Sequence, residues 1–163
     1  LKESNFAIEM KNSIEKQCFD GMMPCFYYKI PDSYGNERFT PLKPFDAFFI
    51  VRQFIDASIP IALEYKMVKG KKAFPFSQVP EHQRAGLLKF STVGSGFVVI
   101  NYRFQGKDNK VNRAFCIDIE DFLRLEADMD RKSIPYSMFE TEETPLFELE
   151  RITGGWDIGN LLE

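Results

Sequence analysis

Histidine and cysteine are scarce. His82 stands alone, and Cys18, Cys25 and Cys116 are three in number with no C-x-x-C pair among them. That scarcity argues against a structural zinc site. A single histidine with neither a nucleophile nor a second ligand beside it is weak ground for general-base catalysis. An odd count of cysteines with no C-x-x-C pair fits a reducing cytoplasmic setting, with ordinary buried thiols. No apolar run approaches the ~18 residues that a membrane span requires, so no membrane partner is expected. There is also no internal repeat and no low-complexity tract. What the chain does have is phenylalanine, seventeen of them against one tryptophan, which promises an aromatic core.

Charge of either sign is nearly balanced, at −3 over 163 residues, which excludes a uniformly basic nucleic-acid binder. The distribution is uneven, however. Residues 117–150 hold eleven Asp and Glu against three Lys and Arg, whereas residues 1–116 hold seventeen Lys and Arg against eleven acidic residues. Phosphate contact is therefore electrostatically plausible in the first two thirds only.

Phe6, Met10, Ile14 and Cys18 recur at helical spacing over residues 4–18, with Ser4 or Asn5 as the cap. Strands are expected at 25–30, 45–51, 60–68, 97–104 and 113–119, and helices from Pro80 to the Gly94-Ser95-Gly96 break and over 120–130. A Pro- and Gly-bearing loop fills 31–44. The order α-β-β-β-α-β-β-α predicts an α/β fold with a mixed central β-sheet flanked by helices. The whole of 1–163 reads as one domain, with a core at about 6–125, an acidic C-terminal extension over 126–163, and Trp156 docking somewhere upon it.

Two of the expected strands carry an anomaly. Asp46 is the one charge in the apolar run "FDAFFIV", and Glu64 and Lys66 interrupt "PIALEYKMV" on a common strand face. A surface salt bridge at a strand end is the ordinary reading of Glu-x-Lys. On adjacent strands, though, Asp46 and Glu64 would repel unless a hard divalent cation lay between them. Mg²⁺ accepts carboxylates, a backbone carbonyl such as that of Tyr65, and water. Such an ion polarises a phosphate and lowers the pKa of bound water, while a lysine beside it orients that water.

The segment Pro44-Phe45-Asp46 followed by Glu64-Tyr65-Lys66 resembles the PD-(D/E)xK nuclease signature, with one residue between proline and aspartate. The preceding helix and strand, the loop "GKKAFPFSQV", the helix opening "HQRAGL" and the strand "GSGFVVINYR" together resemble RecU-type Holliday junction resolvases and their phage-borne relatives. The resemblance covers roughly residues 6–125.

It implies a restriction-endonuclease-like core and a Mg²⁺-dependent endodeoxyribonuclease, with Mn²⁺ as a substitute. In that frame Asp46, Glu64 and the Tyr65 carbonyl hold the metal, Lys66 positions the attacking water and Gln83 assists. An acidic residue from the first helix joins them, Glu9 by choice and Glu15 as the fallback. The implied partner is DNA as a four-way junction, cut by a homodimer. The dimer's interface would come from Phe6, Met10 and Ile14 or from the aromatic strand 26–28.

Lys69, Lys71 and Lys72 follow the Glu-x-Lys strand directly and, with Arg103, are the expected phosphate contacts. Phe74 and Phe76 are placed either to stack on bases or to pack against the sheet. The alternatives are another nuclease of the same superfamily, restriction-like or for repair, and a catalytically idle DNA-binding protein of the same fold.

Overall fold

The structure, a computed structural model, describes residues 3–32, 42–54, 57–143 and 145–163. Helix α1 (Glu3–Asp20) forms because Phe6, Met10, Ile14 and Cys18 make one unbroken apolar stripe, all of it buried. Backbone bonds from Gly21 N to Gln17 O and from Met23 N to Cys18 O close its last turn, and Pro24 prevents its continuation. Three strands follow, β1 (Cys25–Lys29), β2 (Ala47–Phe54) and the long β3 (Ala57–Lys69), and then the short β4 (Phe74–Pro75). Helix α2 (Glu81–Phe90) carries the chain across to β5 (Ser95–Gln105), which turns back as β6 (Lys110–Asp118).

Helix α3 (Ile119–Asp128) is capped by the Asp118 carboxylate, which accepts from Glu120 N at 2.8 Å. Short elements complete the chain: β7 (Ser133–Ile134), α4 (Tyr136–Glu140), β8 (Phe147–Leu149), β9 (Arg151–Ile152) and β10 (Gly155–Trp156).

Six strands make the central sheet in the order β1-β2-β3-β5-β6-β8. Only β3 and β5 run parallel, joined by the α2 crossover; the other neighbours are antiparallel. The sheet is therefore mixed and flanked by helices, an α/β arrangement. Strand alternation gives each face its own core. One face, with Tyr65, Val99 and Cys116, is covered by α1 and Trp156; the other, with Ala62, Ile100 and Phe115, lies under α2, α3 and α4. Among the described residues no helix is long and apolar enough to cross a membrane.

Several expectations need adjustment. β2 begins at Ala47, two residues later than its apolar run suggests, which leaves Asp46 at the strand's mouth. The acidic extension contains strands, and β8 pairs with β6 through Ala114↔Leu149, so part of that extension belongs to the main sheet. Trp156 packs edge-on against Phe6 at 6.0 Å and is fully buried. Most of the 31–44 loop, residues 33–41, lies outside the described residues.

Candidate functional site

The site forms where β2 runs out beside β3. Antiparallel pairing of Ala47 with Leu63 puts Asp46 directly opposite Glu64, on the face beneath α2. In a strand a residue's N–H and C=O project to the same edge. Leu63 still bonds β2, its carbonyl accepting from Asp46 N at 3.1 Å, but Tyr65 and Met67 have no β2 residue to meet. Carboxylates take over that edge. Tyr65 N donates to Asp46 Oδ2 at 2.8 Å, and the Met67 backbone N–H donates to Glu3 at the start of α1. By the same alternation the Tyr65 carbonyl projects toward Asp46, while its ring lies on the opposite face with its hydroxyl 3.3 Å from that of Tyr27.

Glu64 is 1% exposed. Its Oε1 meets Lys66 Nζ at 2.8 Å, and its Oε2 is the one buried side-chain polar atom among the described residues without a hydrogen-bond partner. Burial first, and then the neighbouring Asp46 charge, push the Glu64 carboxyl up to about 7 against the pull of Lys66. Lys66 Nζ also donates to Gln83 Oε1 at 3.0 Å. The Gln83 side-chain amide N–H groups therefore remain as donors. Gln83 is held there by α2, whose Gly86 lies so close to Pro44 that a Cβ would stand 2.5 Å from the Pro44 carbonyl oxygen. Only glycine allows that approach, which locks α2 onto the residues leading into Asp46.

Two further groups complete the cluster. Lys43 Nζ lies 2.6 Å from both Asp46 Oδ1 and Asp32 Oδ1. Burial works against its charge, but the hydrogen bonds and charges of the two aspartates hold its pKa well above the ordinary lysine range. Glu3 faces Asp46, Lys43 and Tyr65 across a small cleft. Its carboxyl is raised above the ordinary value by desolvation, opposed by Lys66 and reinforced by Asp46.

Asp46, Glu64, Lys66 and Gln83 thus converge as the sequence suggests. Glu9 does not. Its Oε2 accepts from Arg103 Nη2 at 2.7 Å, Arg151 Nη1 at 3.1 Å and Trp156 Nε1 at 3.2 Å, which fastens α1 to β5 and to the β9–β10 hairpin. Glu15 is exposed and 3.9 Å from Lys11, also away from the cluster. The acidic residue that α1 contributes is Glu3, two turns before Glu9. Its signal is faint but present, since Glu3 lies one turn ahead of the buried pair Phe6 and Ala7 and so begins the sheet-facing stripe.

Among the expected phosphate contacts Arg103 must be withdrawn, because it is buried, bonded to Asn101 and paired with Glu9. Lys71 is exposed but paired with Glu140 at 2.8 Å. Lys69 and Lys72 are exposed. Lys69 and Lys110 border a cavity of about 470 Å³ beyond the end of β3. Phe74 and Phe76 are buried, Phe76 edge-on to Phe122 at 5.3 Å, and so pack rather than stack on bases. Phe6, Met10 and Ile14 are likewise fully buried and present no surface to a second copy.

No three His, Cys, Asp or Glu side chains among the described residues gather into a ready metal cage. The donors present are Asp46, Glu64 with its orphaned oxygen, and the Tyr65 carbonyl. Two carboxylates and a carbonyl suit Mg²⁺, which keeps several of its waters. No protein-family model matches the chain, and no curated protein matches it.

Proposed function

We propose that the protein is a Mg²⁺-dependent endodeoxyribonuclease with a restriction-endonuclease-like core, acting on four-way DNA junctions. The observation that carries the reading is the opposed pair Asp46 and Glu64, buried beside Lys66 and Gln83, with Glu64 Oε2 unsatisfied. Such an arrangement costs stability unless a cation completes it. Mg²⁺ bound there, or Mn²⁺ in its place, supplies Lewis-acid polarisation of the phosphate and a more acidic water.

The chain's own groups have distinct tasks. Asp46, Glu64 and the Tyr65 carbonyl hold the cation. Lys66, fixed between Glu64 and Gln83, orients the attacking water, and the free N–H of Gln83 donates to a phosphate oxygen. Glu3 lies on the open side of Asp46 and is suited to accept a proton from that water. The exposed Lys69 and Lys72 meet the flanking backbone.

The junction and the dimer rest on the resemblance together with one surface. Two symmetric incisions call for two centres related by a two-fold axis. With the α1 stripe buried, the other expected interface is on β1, an edge strand. There Phe26 and Tyr28 are 56% and 45% exposed and stack in parallel at 6.4 Å. The test is cleavage of a labelled four-way junction and a linear duplex of matched sequence, with and without Mg²⁺, alongside Glu64→Gln. Metal-dependent incision of the junction, lost in the variant, is the expected result. Equal cleavage of both substrates would reject the resolvase reading and leave a generic nuclease; no cleavage of either would reject catalysis.

A further inference from the structure

Lys43 is absent from the motif that drew attention to the site, yet its ammonium makes the closest cationic contact to Asp46, at 2.6 Å from Oδ1. It is a largely sheltered contact, with side-chain exposures of 17% for Lys43 and 12% for Asp46. The second anchor, Asp32, is half open to solvent. The backbone beneath is not free to move. Pro44 restricts Lys43 to extended conformations, and Gly86 of α2 is packed against Pro44. What can move is the lysine's flexible four-carbon stem.

We propose that Lys43 is a tethered stand-in for the divalent cation: it neutralises Asp46 while no metal is bound, is displaced when the metal enters, and then binds a phosphate of the substrate. The inference rests on the metal-site reading above. An ammonium and a divalent cation cannot both occupy the Oδ1 side of Asp46 at bonding distance, since both are positive and oxygen–Mg²⁺ bonds are only about 2.1 Å. Oδ2 already accepts from Tyr65 N at 2.8 Å, so an ion that takes Asp46 through Oδ1 breaks the Lys43–Asp46 contact. The released ammonium stays within a side chain's length of the site, where Asp32 alone holds it and a phosphate competes well as a partner. Metal binding without DNA is weakened by this competition, and DNA supplies the anion that relieves it, so the two ligands favour each other's binding.

The test is calorimetric titration of Mn²⁺ into the intact protein without DNA, for wild type, Lys43→Met, Lys43→Arg and Asp46→Asn, with folding monitored by circular dichroism. Lys43→Met is expected to bind Mn²⁺ at least tenfold more tightly than wild type. Tenfold corresponds to about 1.4 kcal/mol, which is on the scale of one hydrogen bond to a charged group. Lys43→Arg keeps the competing charge and should stay near wild type. In parallel, binding of a cleavage-resistant phosphorothioate junction in saturating Mn²⁺ should weaken in Lys43→Met, and the slope of log affinity against log salt should shrink by about one. Lys43→Gln, neutral but still able to hydrogen-bond both aspartates, replaces Lys43→Met should the latter fail to fold.

If wild type binds Mn²⁺ and the neutral variants bind it no more tightly, the inference fails and the metal site stands. If no form binds Mn²⁺, both fall together. An unchanged salt slope overturns the phosphate half alone.

Discussion

Glu64 makes the metal-free protein sensitive to alkali. A carboxyl whose pKa is raised on folding stays protonated in the native state after its unfolded counterpart has ionised. Between the ordinary value of 4.5 and about 7 the native state therefore binds more protons, and stability falls as pH rises. At about 1.4 kcal/mol per pH unit, that window amounts to about 3 kcal/mol, fully present below pH 4.5 and fully lost above pH 7. For a domain of this size, where each kcal/mol moves the melting temperature by about 2–4 °C, the loss is roughly 6–12 °C. The assay is thermal melting in chelator from pH 5 to pH 8, for wild type and for Glu64→Gln. Glu3 and Asp118, whose carboxyls are also raised by desolvation, slope the same way in both proteins, so the difference between the curves isolates Glu64. The variant should be the more stable protein at pH 8, and Mg²⁺ should restore wild type there while leaving Glu64→Gln unmoved. Parallel pH profiles for the two proteins would refute the claim that Glu64 is a buried carboxylate only partly compensated by Lys66.

Asp46→Asn should abolish cleavage while leaving DNA binding intact or stronger, since it removes a negative charge facing phosphate; filter binding beside the cleavage assay checks both. Glu9→Ala should cost about 3–5 kcal/mol by stranding the buried Arg103 guanidinium, with the cleavage rate of the folded fraction unchanged, whereas Glu3→Gln should slow cleavage with no loss in denaturant midpoint. Gly86→Ala should lower the melting temperature and cleavage together, because the added methyl forces α2 and Gln83 away from Pro44. Sedimentation at micromolar concentration should give a dimer that Phe26→Ser dissociates, and a dimer that persists in that variant would exclude the β1 face.

Asp46, Glu64 and Lys66 were legible in the sequence because burial makes isolated charges conspicuous in apolar strands. Gln83 was legible only through its position in a helix after the Glu-x-Lys strand. Glu3 and Lys43 were not, for a shared physical reason. Their roles depend on where β2 stops, and the apolar run from Phe45 gives no sign that pairing begins at Ala47. Glu9 was misassigned because its partners, Arg103 and Arg151, lie 94 and 142 residues away along the chain, and tertiary ion pairing leaves no periodic trace. The fold class followed from strand and helix periodicity. The sixth strand did not, since β8 is only three residues long and is held by the register with Ala114–Cys116 and by the Glu148–Arg113 pair.

The remaining charges of the molecule supply a contrast that bears on what the cluster is for. Arg84 is bonded to Glu126 and to the Phe76 and Val79 carbonyls, Arg113 to Glu148 through two nitrogens, and Glu9 to three donors at once. These ions sit between elements, have opposite charges close by and hold the helices and strands in place. The Asp46–Glu64 pair differs, although Lys43 and Lys66 lie close to it. Two like charges face each other across adjacent strands, one oxygen is orphaned, and a flexible lysine stands on Asp46 where, on the proposal above, a cation would enter. Apolar residues of similar volume in place of a whole buried ion pair, acid and base together, are often neutral or stabilise a protein by about 1–4 kcal/mol. A structural role is thus poorly served by this arrangement, whereas cation capture is well served. In the proposed metal site the same desolvation that raises Glu64 would strengthen its attraction for a divalent ion, and the tethered lysine would set how readily that ion enters. An idle DNA-binding protein needs neither feature. On that account replacing both ion pairs whole, Asp46→Leu and Glu64→Leu together with Lys43→Met and Lys66→Met, should yield a domain more stable than wild type in chelator at pH 8 and inert toward Mg²⁺ in melting experiments. A quadruple variant that is less stable than wild type would mean the charged cluster holds the fold together, and the catalytic reading would lose its main physical support.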